Sequence, residues 1–116
     1  MAERALDLGR VEAARASARE ALRLSMQIDD RQTTVWALSI LAREAAARGL
    51  GNRAGRIWGG LEAEVERGGP IGQWELERDT ARARIASIAG EDFEPGVAAG
   101  RSLSFDEVVG EALSDT

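Results

Sequence analysis

The sequence contains no cysteine, histidine, lysine or tyrosine, and aromatic side chains make up only 4% of its 116 residues. Without cysteine there is no disulfide framework, no thiolate nucleophile and no thiolate metal site. With histidine, lysine and tyrosine also missing, most of the common acid-base catalysts and the commonest metal ligand are absent. Proline occurs twice. No apolar run reaches the roughly 18 residues that a membrane-spanning helix needs. The N-terminus lacks the basic-then-apolar pattern of an export signal, so a cytoplasmic protein with no membrane partner is expected.

Hydrophobic residues are 44% of the chain, and with so few rings the core must come from Ala, Leu, Ile and Val. Alanine loses no side-chain entropy in a helix and lets neighbouring backbones approach, so this composition points to closely packed helices. The net charge is −5, and it is unevenly placed. Residues 86–116 carry seven carboxylates against Arg101 alone, a local balance of −6. That balance argues against nucleic-acid binding by this segment, where basic residues must neutralise phosphates.

Residues 36–65 organise the chain, reading as two helices folded into a hairpin at Gly49-Leu50-Gly51. Ahead of them, residues 1–8 read as a helix closed by Gly9, and a helix that begins at the first residue suggests that an upstream part has been removed. From 11 to 28, Val11, Ala14, Ala18, Ala21, Leu22, Ser25 and Ile28 recur at helical spacing. Asp29 or Asp30 can cap the next helix, which runs to Arg48 and buries Val35, Leu38, Leu41, Ala42 and Ala45. Asn52 can cap a helix to about Glu66, with Ala54, Ile57, Trp58, Leu61 and Val65 inward. Gly59 and Gly60 fall inside it and fit best where another backbone packs closely.

Gly68 and Gly69 stop that helix, and Pro70 suits the first turn of the next. Trp74, Ala81, Ile85 and Ile88 mark its buried face, and Gly90 ends it. A short helix follows around Phe93, Val97 and Ala98, with Pro95 acceptable only near its start. Ser104 and Glu107 form a capping box for the last helix, with Leu103 and Val108 as the accompanying staple.

Aligned on Gly9 and Gly49, forty residues apart, Ala14, Ala18 and Ala21 match Ala54, Trp58 and Leu61. With Leu38, Leu41, Ala42 and Ala45 ahead of Gly49, the pattern resembles a degenerate tetratricopeptide repeat, whose usual period is about 34. A further resemblance covers roughly the last eighty residues. Asp30, Trp36-Ala37-Leu38, Ala54-Gly55-Arg56-Ile57-Trp58-Gly59, Phe93 and the run from Gly100 to Val108 are similar to the C-terminal helical segment of LuxR-type and related signal-transduction ATPases, regulators common in actinobacteria. The resemblance implies an all-α, tetratricopeptide-like right-handed stack of antiparallel helix pairs with short C-terminal capping helices. Residues 1–66 would be the degenerate repeats and 67–116 a cap on the same domain. The chain has no Gly-x-x-x-x-Gly-Lys-Ser/Thr phosphate loop, and the helix-turn-helix that follows this segment in LuxR-type members lies beyond the residues matched here, so only the scaffold role carries over. The expected function is non-catalytic recognition of a protein or peptide inside a larger regulator, the ATPase domain of that regulator being one candidate partner. An exposed stacking face would also permit a homo-oligomer.

Counting back from Gly49, the resemblance puts Trp36, Ser39 and Arg43 on the concave face, the candidate partner-binding residues. The alternative is that Trp36 is half-buried against the preceding helix and Arg43 is simply solvated. The stripe Arg15, Arg19 and Arg23 and the run Arg78, Arg82 and Arg84 could meet phosphate, or could pair with neighbours such as Glu12, Glu20 and Glu75. Glu62, Glu64 and Glu66 alternate on a helix and are not expected to converge as a catalytic or metal-binding set. No catalytic residue, metal ligand or cofactor is therefore expected. Two other functions stay open, a DNA-binding helix-turn-helix module and a small carboxylate-dependent hydrolase.

Overall fold

A chain of strong helix formers punctuated by glycine gives helices of nearly every residue. The computed structural model describes the backbone of residues 2–69 and 72–114 and the side chains of residues 12–69, 72 and 74–114. Six α-helices lie among the described residues: α1 (Ala2–Gln27), α2 (Arg31–Ala47), α3 (Gly51–Gly68), α4 (Gly72–Ala89), α5 (Phe93–Arg101) and α6 (Phe105–Leu113). One 3-10 turn, Gly90–Asp92, joins α4 to α5. The fold is all-α, and no described residue is in a strand. No helix among the described residues is long and apolar enough to cross a membrane.

The expected break at Gly9 does not occur, because α1 runs through it without interruption. One glycine costs a helix about 1 kcal/mol relative to alanine. Helix formers on both sides of Gly9, among them Ala5, Leu6, Leu8 and Ala13, outweigh that cost, and no proline or second glycine follows. The correspondence between Gly9 and Gly49 therefore does not mark two turns. Gly49 does end a helix: its φ is 81°, and the N–H groups of Gly49 and Leu50 return to Ala46 O and Ala45 O at 3.0 and 2.9 Å. This paired closure needs a left-handed residue, which is why glycine stands there.

Asp30 is the cap of α2, accepting from Thr33 N–H at 3.2 Å and from the Thr33 hydroxyl at 2.6 Å. Asn52 is not a cap. The helix already begins at Gly51, preceded by Leu50, which makes no side-chain cap, and the Asn52 amide oxygen instead accepts from Arg56 one turn on. Ser104 and Glu107 make the full capping box of α6. Pro95 occupies the third position of α5, where its missing amide hydrogen has no helical acceptor to lose. Pro70, expected at the first turn of α4, lies outside the described residues.

The helix α3 is the axis of the molecule, touching α2, α4, α5 and α6, with α5 its most extensive neighbour. Ala54, Ile57, Trp58, Leu61 and Val65 are all buried, as are Val35, Leu38, Leu41, Ala42 and Ala45 of α2. On its other side α3 presents glycines to α5. A Cβ on Gly55 would come within 2.8 Å of Gly96 Cα, and one on Gly59 within 2.9 Å of the Val97 carbonyl carbon. Gly51 faces Ala89, Gly55 faces Phe93 to Val97, and Arg56 faces Gly100, so the two helices run in the same direction. Gly60 meets a side chain, Val108 of α6, rather than a backbone.

Three apolar positions expected inside are outside, Ala14 of α1 among them, and the side chain of Val11 on the same face lies outside the described residues. Ile28 is 72% exposed and Ile88 48% exposed; Ile28 lies in the turn past the end of α1, and Ile88 is the next-to-last residue of α4.

Candidate recognition groove

Two helix faces that do not meet fully leave a groove of about 430 Å³ between α2 and α4. The α2 wall is built from Gln32, Trp36, Ser39, Ile40 and Arg43, at the three- and four-residue spacing of one helical face. The α4 wall repeats that spacing with Trp74, Glu77, Ala81, Arg84 and Ile85. Each wall covers three turns, about 16 Å of helix. All three residues read from the sequence as candidates, Trp36, Ser39 and Arg43, lie on this one surface.

They differ in what they do there. The Trp36 ring is 52% exposed and stands at the rim. The Ser39 hydroxyl donates to Val35 O at 3.0 Å and accepts from Trp74 Nε1 at 2.9 Å, so it pins α4 to α2 and has little left for a ligand. Trp74 in turn packs on Trp58 of α3 with ring centroids 5.7 Å apart and planes tilted by 39°, while the Arg78 guanidinium lies 5.8 Å from the centroid of the Trp74 ring. The floor of the groove is thus held by three independent contacts. Arg43 is exposed and makes no hydrogen bond or ion pair among the described residues.

From the α4 wall the sequence offers only Arg84, as part of a basic run that could meet phosphate, and nothing in it makes the rest of that wall a site. Trp74, Ala81 and Ile85 were legible as one helical face, but no local pattern says that this face sits beside α2 rather than wholly against α3.

The arginine stripes have mostly structural duties. Arg15 pairs with Glu12 at 4.0 Å and with the buried Glu44 at 3.7 Å, and Arg23 with Glu20 at 4.0 Å. Arg19 donates to Leu113 O at 2.6 Å, and Arg53, 8% exposed, to Glu111 O at 2.7 Å and Ser114 O at 2.5 Å. These two guanidiniums satisfy the free carbonyls at the end of α6 and face the negative end of its dipole. Burial pushes the Arg53 guanidinium below its usual value, while Glu111 and Glu44 act in the opposite sense.

Arg78 pairs with Glu75 at 3.9 Å. Arg82 grips Glu94 with two bonds of 2.9 and 3.0 Å and lies 3.5 Å from Glu62. Hydrogen bonding from Arg82 holds the Glu94 carboxyl below its usual value, and the same bond raises Arg82. Glu62 and Glu66 both reach Arg101, at 3.7 and 2.5 Å, and Glu64 pairs with Arg67 at 3.0 Å. Each of these glutamates is matched with a guanidinium, not aligned with another carboxylate for proton transfer. Among the described residues no group of three or more acidic side chains is placed to hold a metal ion.

Compared with protein-family models, with curated proteins and with solved structures, the chain has no match.

Proposed function

We propose that this chain is a non-catalytic recognition scaffold that takes a segment of a partner protein into the groove between α2 and α4. The observation that carries the proposal is the groove itself: two helical faces three turns long with an exposed tryptophan on the rim and an apolar, pinned floor. Aromatic rims of this kind supply contact area at small conformational cost. The acid-base groups nearest to catalysis are engaged by arginines, which favours binding over chemistry.

The tetratricopeptide-like reading is part of the proposal. It draws support from the order of packing, α1 on α2, α2 on α3, and α2 on α4 two helices further on. In a right-handed stack the first helices of successive pairs line the concave face, and α2 and α4 would be those helices. Residues 67–116 then contribute a wall of the groove as well as the cap. On this reading the chain serves inside a cytoplasmic, LuxR-type or related ATPase regulator, where the partner segment comes from the regulator itself or from a protein it senses.

Selection from a displayed random-peptide library against the immobilised chain tests the proposal. Enriched peptides should bind wild type and lose most of their affinity for Trp36→Ala, whose fold is checked by its thermal melt. Peptides that bind both proteins equally, or a selection that enriches nothing, would overturn it. A gel shift at low salt addresses the helix-turn-helix alternative, since tight, salt-sensitive binding to duplex DNA would displace the scaffold reading.

A further inference from the structure

Thirteen arginines have described side chains. Eleven are committed to a carboxylate or a backbone carbonyl: Arg19, Arg31 and Arg53 to carbonyls, and eight others to glutamates. The two without a hydrogen bond or ion pair among the described residues are Arg43 and Arg84. Both line the groove, Arg43 on the α2 wall and Arg84 on the α4 wall. In a chain of net charge −5, the two described guanidiniums without a partner among the described residues thus lie on opposite walls of one groove.

Resting on the reading of the groove as a recognition site, we propose that its occupant is an acidic amphipathic helix of a partner protein. Three observations select this occupant. Both walls present side chains at three- and four-residue spacing over about 16 Å, the periodicity that a third helix of about eleven residues would match turn for turn. The uncommitted guanidiniums lie on opposite walls, so carboxylates must be offered on both edges of an apolar stripe, as an amphipathic helix offers them. Ile88, 48% exposed, lies one turn beyond Arg84 and Ile85 on the same face of α4 and extends the apolar seat past the groove. A small ligand fits the site less well, because such ligands are bound with most of their surface enclosed and here the rim residues Trp36, Arg43 and Arg84 are all exposed.

The guanidinium fork binds carboxylate through two parallel bonds, which makes arginine suited to this task. These are rim charges, so they set association rate, salt sensitivity and partner choice more than the bulk of the affinity.

A fluorescein-labelled fifteen-residue peptide with leucines at helical three- and four-residue spacing, glutamates on both flanks and alanine elsewhere is titrated into the full chain and followed by anisotropy. Three control peptides carry glutamine for glutamate, lysine for glutamate, or a central proline. The expected result is saturable binding that weakens with added salt, falls about two- to fivefold in Arg43→Ala and in Arg84→Ala, and falls for every control peptide. In the double variant R43E/R84E preference should invert toward the lysine peptide. Neither arginine contacts another described charge, so the variants should melt as wild type does.

No binding of the glutamate peptide, or binding unchanged in the arginine variants, overturns the proposal. Equal binding of the proline peptide overturns it in favour of an extended occupant. If the glutamine or proline peptide binds well and is lost in Trp36→Ala, the groove remains a recognition site and only the acidic helix is excluded. If no peptide responds to Trp36→Ala, the recognition reading fails as well.

Discussion

The two tryptophans of the central hairpin show how one residue type takes opposite roles. Trp58 is fully buried, packs against Trp74 at 5.7 Å, and leaves its Nε1 hydrogen without an acceptor among the described residues. An unmet buried donor is tolerated only where the ring contributes more than the lost bond costs. Trp36 is 52% exposed. Trp58→Ala should therefore lower stability by about 3 to 5 kcal/mol, and Trp36→Ala by less than about 1 kcal/mol. Urea denaturation of both variants checks this, and equal losses would refute the division. The burial of Trp58 was legible because Ala54, Ile57, Trp58 and Leu61 form an unbroken stripe. How far Trp36 would be exposed was not legible, since the sequence allowed both a concave-face position and a ring half-buried against the preceding helix. The pinning of Ser39 by Trp74 was not, because the two are thirty-five residues apart and nothing local links them.

At the scale of the helix, the glycines of α3 carry the packing. Gly51, Gly55 and Gly59 are spaced by four and so share one face, as do Gly96 and Gly100 on α5. Small residues at this spacing let two backbones come together where ordinary side chains would hold them apart, whatever the solvent around them. The need for close approach at Gly59 could be read from the sequence, since two glycines inside a helix are otherwise a cost. Which helix would approach could not be read, since Gly96-Val97-Ala98-Ala99-Gly100 becomes a partner only once α4 has carried the chain back. Gly60 shows the limit of that reading, for it makes room for the Val108 side chain.

Two substitutions with the same intrinsic gain in helix propensity separate packing from propensity. Gly110, inside α6, has open space where a Cβ would sit, so Gly110→Ala should stabilise by about 0.5 to 1 kcal/mol. Gly55→Ala would drive its Cβ into Phe93 O and Gly96 and should destabilise by about 1 to 3 kcal/mol. Denaturant midpoints of opposite sign are expected, and a stabilised Gly55→Ala would contradict the tight α3–α5 contact.

Across the whole molecule the helical class followed from composition and glycine placement, whereas the neighbour relations did not. They depend on long-range bonds such as Arg19 to Leu113 O, ninety-four residues apart, for which a sequence carries no periodic signal. A different set of bonds, those made to carboxylates, makes the molecule sensitive to acid in a defined way. Glu94 is held below its usual value chiefly by hydrogen bonds from Arg82, and Glu66 chiefly by a bond from Arg101. Asp30 and Glu107 are lowered by their capping bonds to Thr33 and Ser104. Each carboxylate is a stronger acid folded than unfolded. Its contribution is therefore complete above the unfolded value, 3.8 for Asp30 and 4.5 for the glutamates, and is lost as pH falls through the lower folded value. With no histidine, no side chain has an ordinary value between about 5 and 8. The urea midpoint should stay level from pH 7.5 to about pH 5.5 and then decline steadily below about pH 4.5. Glu94→Gln combined with Glu66→Gln should start from a lower plateau and decline less steeply, because two of the groups that must be protonated are already neutral. A double variant whose acid decline matches wild type would show that these arginine pairs, exposed as they are, do not couple folding to pH.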